Sequence, residues 1–296
     1  MPRSDAEIVT PALLRGWPLP PPGEDKGDRG TVLVVGGAAR TPGAAMLAGL
    51  AALRAGAGRL QLAVAAPVAT AVAVAIPEAL VLPLPADRES GSVEPEASAA
   101  AHDLAVRADV VCAGPGLDDA DRSTRLVADL IAALASEGTA TRVVLDAYAL
   151  GALPGQEKLC AALPAPLVLT PNASEAGILL EEDPPSDHGT AALRIAERYT
   201  AVVALRQAIA TPEGKLFVGG AGQAGLGTSG SGDVLAGVVA GLLARGATPD
   251  QAAVWGAHLH ATSGERLAAR VGPLGYLARE LLEETPRVLT ELSVEY

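Results

Sequence analysis

The sequence predicts an α/β fold, a mostly parallel central sheet flanked by helices. Short β-branched runs alternate with Ala- and Leu-rich helical stretches from Thr31 to Leu205, the rhythm of βαβ units under helical cover. Gly-rich or polar segments follow the strand-like runs at Gly36-Gly37, Gly114-Pro115-Gly116, Asp146, Thr170-Pro171-Asn172 and Arg206. Sheets of this kind bind ligands at those carboxyl ends. Hydrophobic residues make up 49% of the 296-residue chain and aromatic ones only 2%. The core is therefore expected to be Ala, Val and Leu, closely packed.

In chain order, residues 1–25 are expected to form an extended N-terminal arm, Pro-rich from Pro18 to Pro22. Residues 26–296 show no break in composition and are expected to form a single domain. Thr31–Val35 is a buried strand entering a Gly turn. Ala44–Ala55 is a helix closed by Gly56 and Gly58, and Arg59–Val64 the next strand. Leu62–Leu84 is the most apolar stretch, but Pro67, Pro77 and Pro83 interrupt it. It reads as helix then strand, not as a membrane span. Further strands are expected at Asp109–Ala113, Arg142–Leu145, Leu167–Leu169 and Ala201–Leu205, with a helix at Ser123–Ser136 and an edge or hairpin strand at Lys215–Val218. Pro85–Pro95 and Glu181–Gly189 read as loops, and the chain from Asp233 onward as almost entirely helix.

A net charge of −12 and a pI of about 4.8 argue against nucleic acid as a partner. They leave room for a small anion held by a few basic or backbone N–H groups. Cys112 and Cys160 are the only cysteines and form no C-x-x-C, so neither a metal cluster nor a disulfide framework is expected. The start, Met1 to Glu7, is polar and carries Asp5 and Glu7. A cytoplasmic protein without a signal peptide is expected.

The most informative segment is Gly225-Leu-Gly-Thr-Ser-Gly-Ser-Gly-Asp233, followed by the apolar helix Val234–Ala244. A Gly-rich turn entering a helix presents unpaired N–H groups at the positive end of the helix dipole, a site for phosphate. Asp233, in the first turn, is placed to take a proton from a substrate hydroxyl; the plainer alternative is an N-cap beside a flexible turn. Gly220-Ala-Gly222-Gln-Ala-Gly225 matches G-x-G-x-x-G, but no helix starts inside it, so no Rossmann site is expected. Gly214-Lys215 lacks the P-loop spacing.

Several motifs now stand in order: Lys26-Gly-Asp-Arg-Gly30, Pro42-Gly-Ala44, Arg54-Ala-Gly-Ala-Gly58, Gly114-Pro-Gly116, Leu145-Asp-Ala-Tyr-Ala-Leu150, Leu169-Thr-Pro-Asn-Ala-Ser-Glu175, Leu205-Arg206, Gly230-Ser-Gly-Asp233 and His258-Leu-His260. Together, from residue 26 to the C-terminus, they resemble the ADP-dependent (S)-NAD(P)H-hydrate dehydratases, a family of the ribokinase-like superfamily. The resemblance implies a ribokinase-like three-layer sandwich. It also implies a reaction in which ADP phosphorylates the added hydroxyl of NADH hydrate or NADPH hydrate and phosphate then leaves. Asp233 would be the base and would contact the hydrate; Ala44, Gly116 and Asn172 would complete that pocket. Arg206, Gln207, Ala208, Ile209 and Ala210 would hold the nucleotide with Gly230, Ser231 and Gly232, the last donating to phosphate. Mg²⁺ would accompany ADP, its ligands left open. A homotetramer and a separate NAD(P)H-hydrate epimerase as functional partner are implied as well. The chain departs from the family pattern with Asn172 for His, Arg206 for Lys, Tyr148 for a second Asp and Ser231 for Thr.

Other residues have plain readings. Asp146 reads as a cap on the next helix, with Mg²⁺ or water as the alternative. Glu175 reads as a capping-box partner. His258 and His260, two apart, face different sides of a helix and read as structural. His102 and His188 read as solvated, and Cys112 as packing. Lys26, Gly27 and Gly30 either close over the site or form a solvated loop. Two other functions fit the same residues, a kinase for a sugar or vitamin alcohol and a non-catalytic nucleotide-binding protein.

Overall fold

The computed structural model describes residues 6–220 and 224–293. The first half runs β1 (Glu7–Ile8), α1 (Pro11–Gly16), β2 (Thr31–Val35), α2 (Pro42–Arg54), β3 (Arg59–Ala65), α3 (Ala66–Ala75), β4 (Ala79–Leu84), α4 (Ala97–Ala105), β5 (Val110–Ala113), α5 (Ala120–Glu137) and β6 (Arg142–Leu145). The second runs α6 (Glu157–Ala161), β7 (Leu167–Leu169), α7 (Ala173–Leu180), α8 (His188–Tyr199), β8 (Ala201–Leu205), β9 (Ala208–Ala210), β10 (Leu216–Val218), α9 (Ser231–Ala244), α10 (Pro249–Val271) and α11 (Ala278–Ser293).

The strands form one ten-stranded sheet in the order β1-β10-β9-β8-β7-β6-β5-β2-β3-β4. From β4 to β8 every neighbouring pair is parallel, whereas β8, β9 and β10 form an antiparallel meander. Chain order reverses between β2 and β5, so the crevice at their carboxyl ends is the topological switch point. Side chains alternate across β2: Val32 and Val34 join one buried cluster with α2, α9 and α10, while Leu33 and Val35 join another with α4, α5 and α8. The result is three layers, helix on sheet on helix.

The core is aliphatic as expected, with Trp255, Tyr199 and Tyr276 as its large aromatics. Small residues let helices touch by their backbones. A Cβ on Gly237 would stand 2.1 Å from the carbonyl oxygen of Ala48, and one on Gly241 would stand 2.4 Å from that of Ala52. The helix carrying the Gly-rich turn is thereby pressed onto α2.

Where an extended arm was expected over residues 1–25, β1 pairs with β10 and α1 begins under a Thr10 cap. The Pro-rich part is tied to α10: Trp255 Nε1 donates to the Trp17 carbonyl (3.0 Å) and Gln251 Nε2 to that of Pro18 (2.9 Å). The Leu62–Leu84 stretch resolves into the end of β3, then α3, then β4, whose Pro83 is tolerated because β4 is an edge strand. Of the Gly220–Gly225 run, residues 221–223 lie outside the described residues.

Gly237→Val is expected to force α9 from α2 and cost about 2–4 kcal/mol of stability. Denaturant unfolding with an unchanged m-value checks this.

Candidate active site

α9 starts at Ser231 behind Gly230, whose φ of +87° suits glycine; a Cβ there would stand 2.6 Å from Leu47 Cδ1. No side chain among the described residues caps this end. Ser231 N–H bonds to the Thr228 carbonyl (3.2 Å) and Val234 N–H to that of Gly230 (3.2 Å). The N–H groups of Gly232 and Asp233 have no backbone acceptor among the described residues. Gly232 is exposed and Asp233 half-buried, so the two free donors face a space open to an anion.

Opposite, three turns pack by their backbones at the switch point. Gly116, at φ +76°, lies against the Thr41 carbonyl, which a Cβ would approach to 2.3 Å. Thr41 Oγ1 donates to the Gly116 carbonyl (2.8 Å), and Ala38 N–H donates to it as well (2.8 Å). Ala44 follows in the first turn of α2, its N–H bonded to the Thr41 carbonyl (3.4 Å). Gly114, at φ +120°, lies against the carbonyl of Asp146, the residue after β6. The carboxylate of Asp146 faces the other way: its Oδ2 stands 4.0 Å from where a Gly232 Cβ would be. Asp146 thus joins the Gly116 side to the head of α9.

Contrary to the capping expectation, the Asp146 side chain does not cap the next helix. Instead its Oδ1 accepts from Thr170 Oγ1 (2.8 Å) and it is buried. Burial pushes its carboxyl up to about 7, the Thr170 bond opposes the rise, and the neighbouring Asp233 and Glu175 charges add to it. Asp233 is pushed up to about 6, by burial first and then by Glu175. Glu175 itself is raised by burial. Asn172 and Glu175 form the expected capping box, Asn172 Oδ1 accepting from Glu175 N–H (3.0 Å) and Glu175 Oε2 from Asn172 N–H (2.8 Å). The cap uses one lone pair of Asn172 Oδ1, while the amide nitrogen makes no hydrogen bond among the described residues and can donate to a ligand.

Arg206 and Gln207 form the exposed turn between β8 and β9, with Arg206 at φ 54°. A small cavity beside them is lined by Val9, Ile209, Gly219, Val254 and His258. Ala208 and Ala210 are buried in β9. Of the segment expected on the nucleotide, Arg206, Gln207 and Ile209 face the cavity, while Ala208 and Ala210 are not among its lining. Lys26, Gly27 and Gly30 precede β2, and Gly58, just before β3, packs on the Lys26 carbonyl. They lie at the amino ends of the strands, across the sheet from the site. Cys112 is fully buried, its thiol pushed up by burial, as packing requires. His258 and His260 do face different sides: His258 lines the Arg206 cavity, while His260 Nε2 reaches Ser231.

The donor set fits a phosphate at the head of α9. Among the described residues no three His, Cys, Asp or Glu side chains converge as a metal cage. A divalent cation would therefore be held mainly by phosphate oxygens and water, with the Asp146 and Asp233 carboxylates nearest.

Fold and site define a class, ribokinase-like α/β proteins in which a glycine turn meets a helix beside a buried acid. A ribokinase-like superfamily protein of Enterococcus faecalis V583 superposes with a TM-score of 0.79 at 21% identity, covering 97% of this chain and 96% of that one. The ADP/ATP-dependent NAD(P)H-hydrate dehydratase of Bacillus subtilis, crystallised with ATP and Mg²⁺, superposes with a TM-score of 0.78 at 25% identity, covering 97% and 99%. The family model described as NAD(P)H-hydrate dehydratase matches residues 32–287, and the chain belongs to that family. The ADP-dependent (S)-NAD(P)H-hydrate dehydratase of Xanthomonas campestris is 47% identical over 294 residues, 96% of each chain. The bifunctional NAD(P)H-hydrate repair enzyme of Salinibacter ruber is 36% identical over 290 residues, which are 96% of this chain and 53% of that one. The chain thus spans about half the length of that bifunctional relative.

Asp146 yields a pH test. Its carboxyl titrates near 7 in the fold and near 3.8 otherwise. Ionising it in the folded state is penalised, so its contribution to stability declines as pH rises from about 4 to about 7 and stays low above that. Asp146→Asn keeps the Thr170 bond and removes the charge. The variant is expected to melt above the parent at pH 8 and by a smaller margin at pH 5, read by calorimetry at the two pH values.

Proposed function

We propose that the chain is a carbon–oxygen lyase that uses ADP to dehydrate (S)-NADH hydrate and (S)-NADPH hydrate to NADH and NADPH. The observation that carries this reading is the pairing of free N–H donors at the head of α9 with the raised carboxyl of Asp233, beside the buried Asp146. The similarity to the Xanthomonas dehydratase over nearly the whole chain supports it.

In this reading the Asp233 carboxylate takes the proton of the hydrate hydroxyl as that oxygen attacks the β-phosphorus of ADP, and the bond to AMP breaks. The Gly232 and Asp233 amides hold the charged phosphate oxygens. The carbon–oxygen bond then breaks with electrons from the ring nitrogen, phosphate leaves, and loss of a proton from the neighbouring carbon restores the double bond. The balance is hydrate plus ADP to reduced nucleotide, AMP and phosphate. Ala44 and Gly116 line the hydrate pocket, and Asn172 contacts the hydrate through its amide nitrogen. Arg206 and Gln207 meet the nucleotide, with Ala208, Ile209 and Ala210 as the strand that carries them. Magnesium, when bound, supplies charge neutralisation at the phosphates. Cytoplasmic placement, a homotetramer and one single domain over 26–296 belong to the same reading. So does a separate NAD(P)H-hydrate epimerase as functional partner.

Adding ADP and Mg²⁺ to the (S) hydrate of NADH is expected to restore absorbance at the reduced-nicotinamide band. Consumption of ATP with a sugar or vitamin alcohol, the hydrate untouched, supports a kinase instead. Tight ADP binding without either turnover supports a binding protein. Asp233→Asn is expected to keep ADP binding and lose roughly 10²–10⁴ in kcat. Because the carboxylate must be ionised to accept a proton, the parent's rate is expected to fall as pH drops through about 6.

A further inference from the structure

Ser231, the first residue of α9, is buried, and its side chain meets an imidazole from the neighbouring α10. His260 Nε2 lies 2.9 Å from Ser231 Oγ and 3.0 Å from the Ser231 carbonyl oxygen. The second contact settles the first. A carbonyl oxygen only accepts, so a bare Nε2 at 3.0 Å would set lone pair against lone pair. Nε2 therefore carries the hydrogen and donates towards both oxygens of Ser231. Burial pushes the ring down to about 4, so at neutral pH it is uncharged and Nδ1 is bare.

With Oγ accepting from His260, the hydroxyl hydrogen of Ser231 must point elsewhere. No second hydrogen bond of that hydroxyl is found among the described residues. Its backbone N–H is already bonded to Thr228, and the next two amides are the free ones. The Ser231 hydroxyl hydrogen is thus left over on the residue next to the two free amides.

We propose that His260 is a positioning residue that fixes the Ser231 hydroxyl as a hydrogen-bond donor to the terminal phosphate of the nucleoside diphosphate. This rests on the reading that the head of α9 takes that phosphate, and it deepens that reading. A neutral imidazole does the work without adding a fixed positive charge that would hold the departing phosphate. Pre-aiming the hydroxyl removes the entropy of orienting it on binding.

The test uses the full chain. His260→Leu and Ser231→Ala are each expected to weaken ADP binding and lower kcat about 10-fold or more. Binding of adenosine, which lacks phosphate, and KM for the hydrate should stay unchanged. Combining the two substitutions should cost no more than either alone, since both remove one interaction. His260→Gln, whose amide nitrogen stands in for Nε2, should recover most of the loss. His260→Asn, polar but too short to reach, replaces the Leu variant should that variant fail to fold. Three results overturn the proposal: ADP affinity unchanged in the Leu or Asn variant, equal losses for ADP and adenosine, or single losses that multiply in the double variant. Calorimetric binding of ADP and of adenosine reads all three without turnover, so a parent enzyme inert towards the hydrate would sink the proposed reaction and leave this inference standing or falling by itself.

Discussion

A backbone amide at the start of a helix has no carbonyl behind it and must find water, a side chain or an anion. At the head of α9 no side chain among the described residues takes that role, because the residue in the capping position is Gly230, in a left-handed turn against Leu47 and Ala278. A side chain there would fill the space and satisfy an amide; glycine leaves the donors free. Everything else in the site is arranged around this unsatisfied end. Gly237 and Gly241 press α9 against α2, which fixes the free amides relative to Ala44 and the Thr41 turn. Rigidity of this kind matters because an anion hole gains its strength from donors that need not reorganise.

The acids obey the same logic from the other side. Asp233, Asp146 and Glu175 are drawn together where water is scarce, and burial raises all three. A site that holds negative charge poorly when empty is one that favours a cation-accompanied phosphate when filled. Asp146 is the link between the two halves, its carbonyl packed on Gly114 and its carboxylate turned to Gly232.

Much of this was legible in the chain. Thr31–Val35, Arg142–Leu145 and Ala201–Leu205 stand out because buried parallel strands are apolar and β-branched, and the Gly-rich turn stands out because nothing else concentrates glycine before an apolar helix. Shorter pieces were not. Glu7–Ile8 has two residues and becomes a strand by pairing with Leu216–Val218, and Ala208–Ala210 reads like any apolar fragment until it pairs with that strand and with Ala201–Leu205. Asp146 looked like a cap because its Thr170 partner is 24 residues away. The spacing of His258 and His260 told that they diverge, not that one would reach Ser231, 29 residues back. The position of Lys26 could have been read: a segment that precedes a strand lies at its amino end, and the ligand face is at the other.

Val9 lies beside Arg206 and His258 in the wall of one small cavity. Residues from both ends of the chain and from its middle must meet before that recess exists. The packed turns from Thr41 to Gly116, by contrast, are drawn from Gly36 to Gly116 alone. A growing polypeptide would thus shape that wall of the crevice well before the recess beside Arg206, and any ligand-driven gain in stability at the recess would arrive only with the last helices.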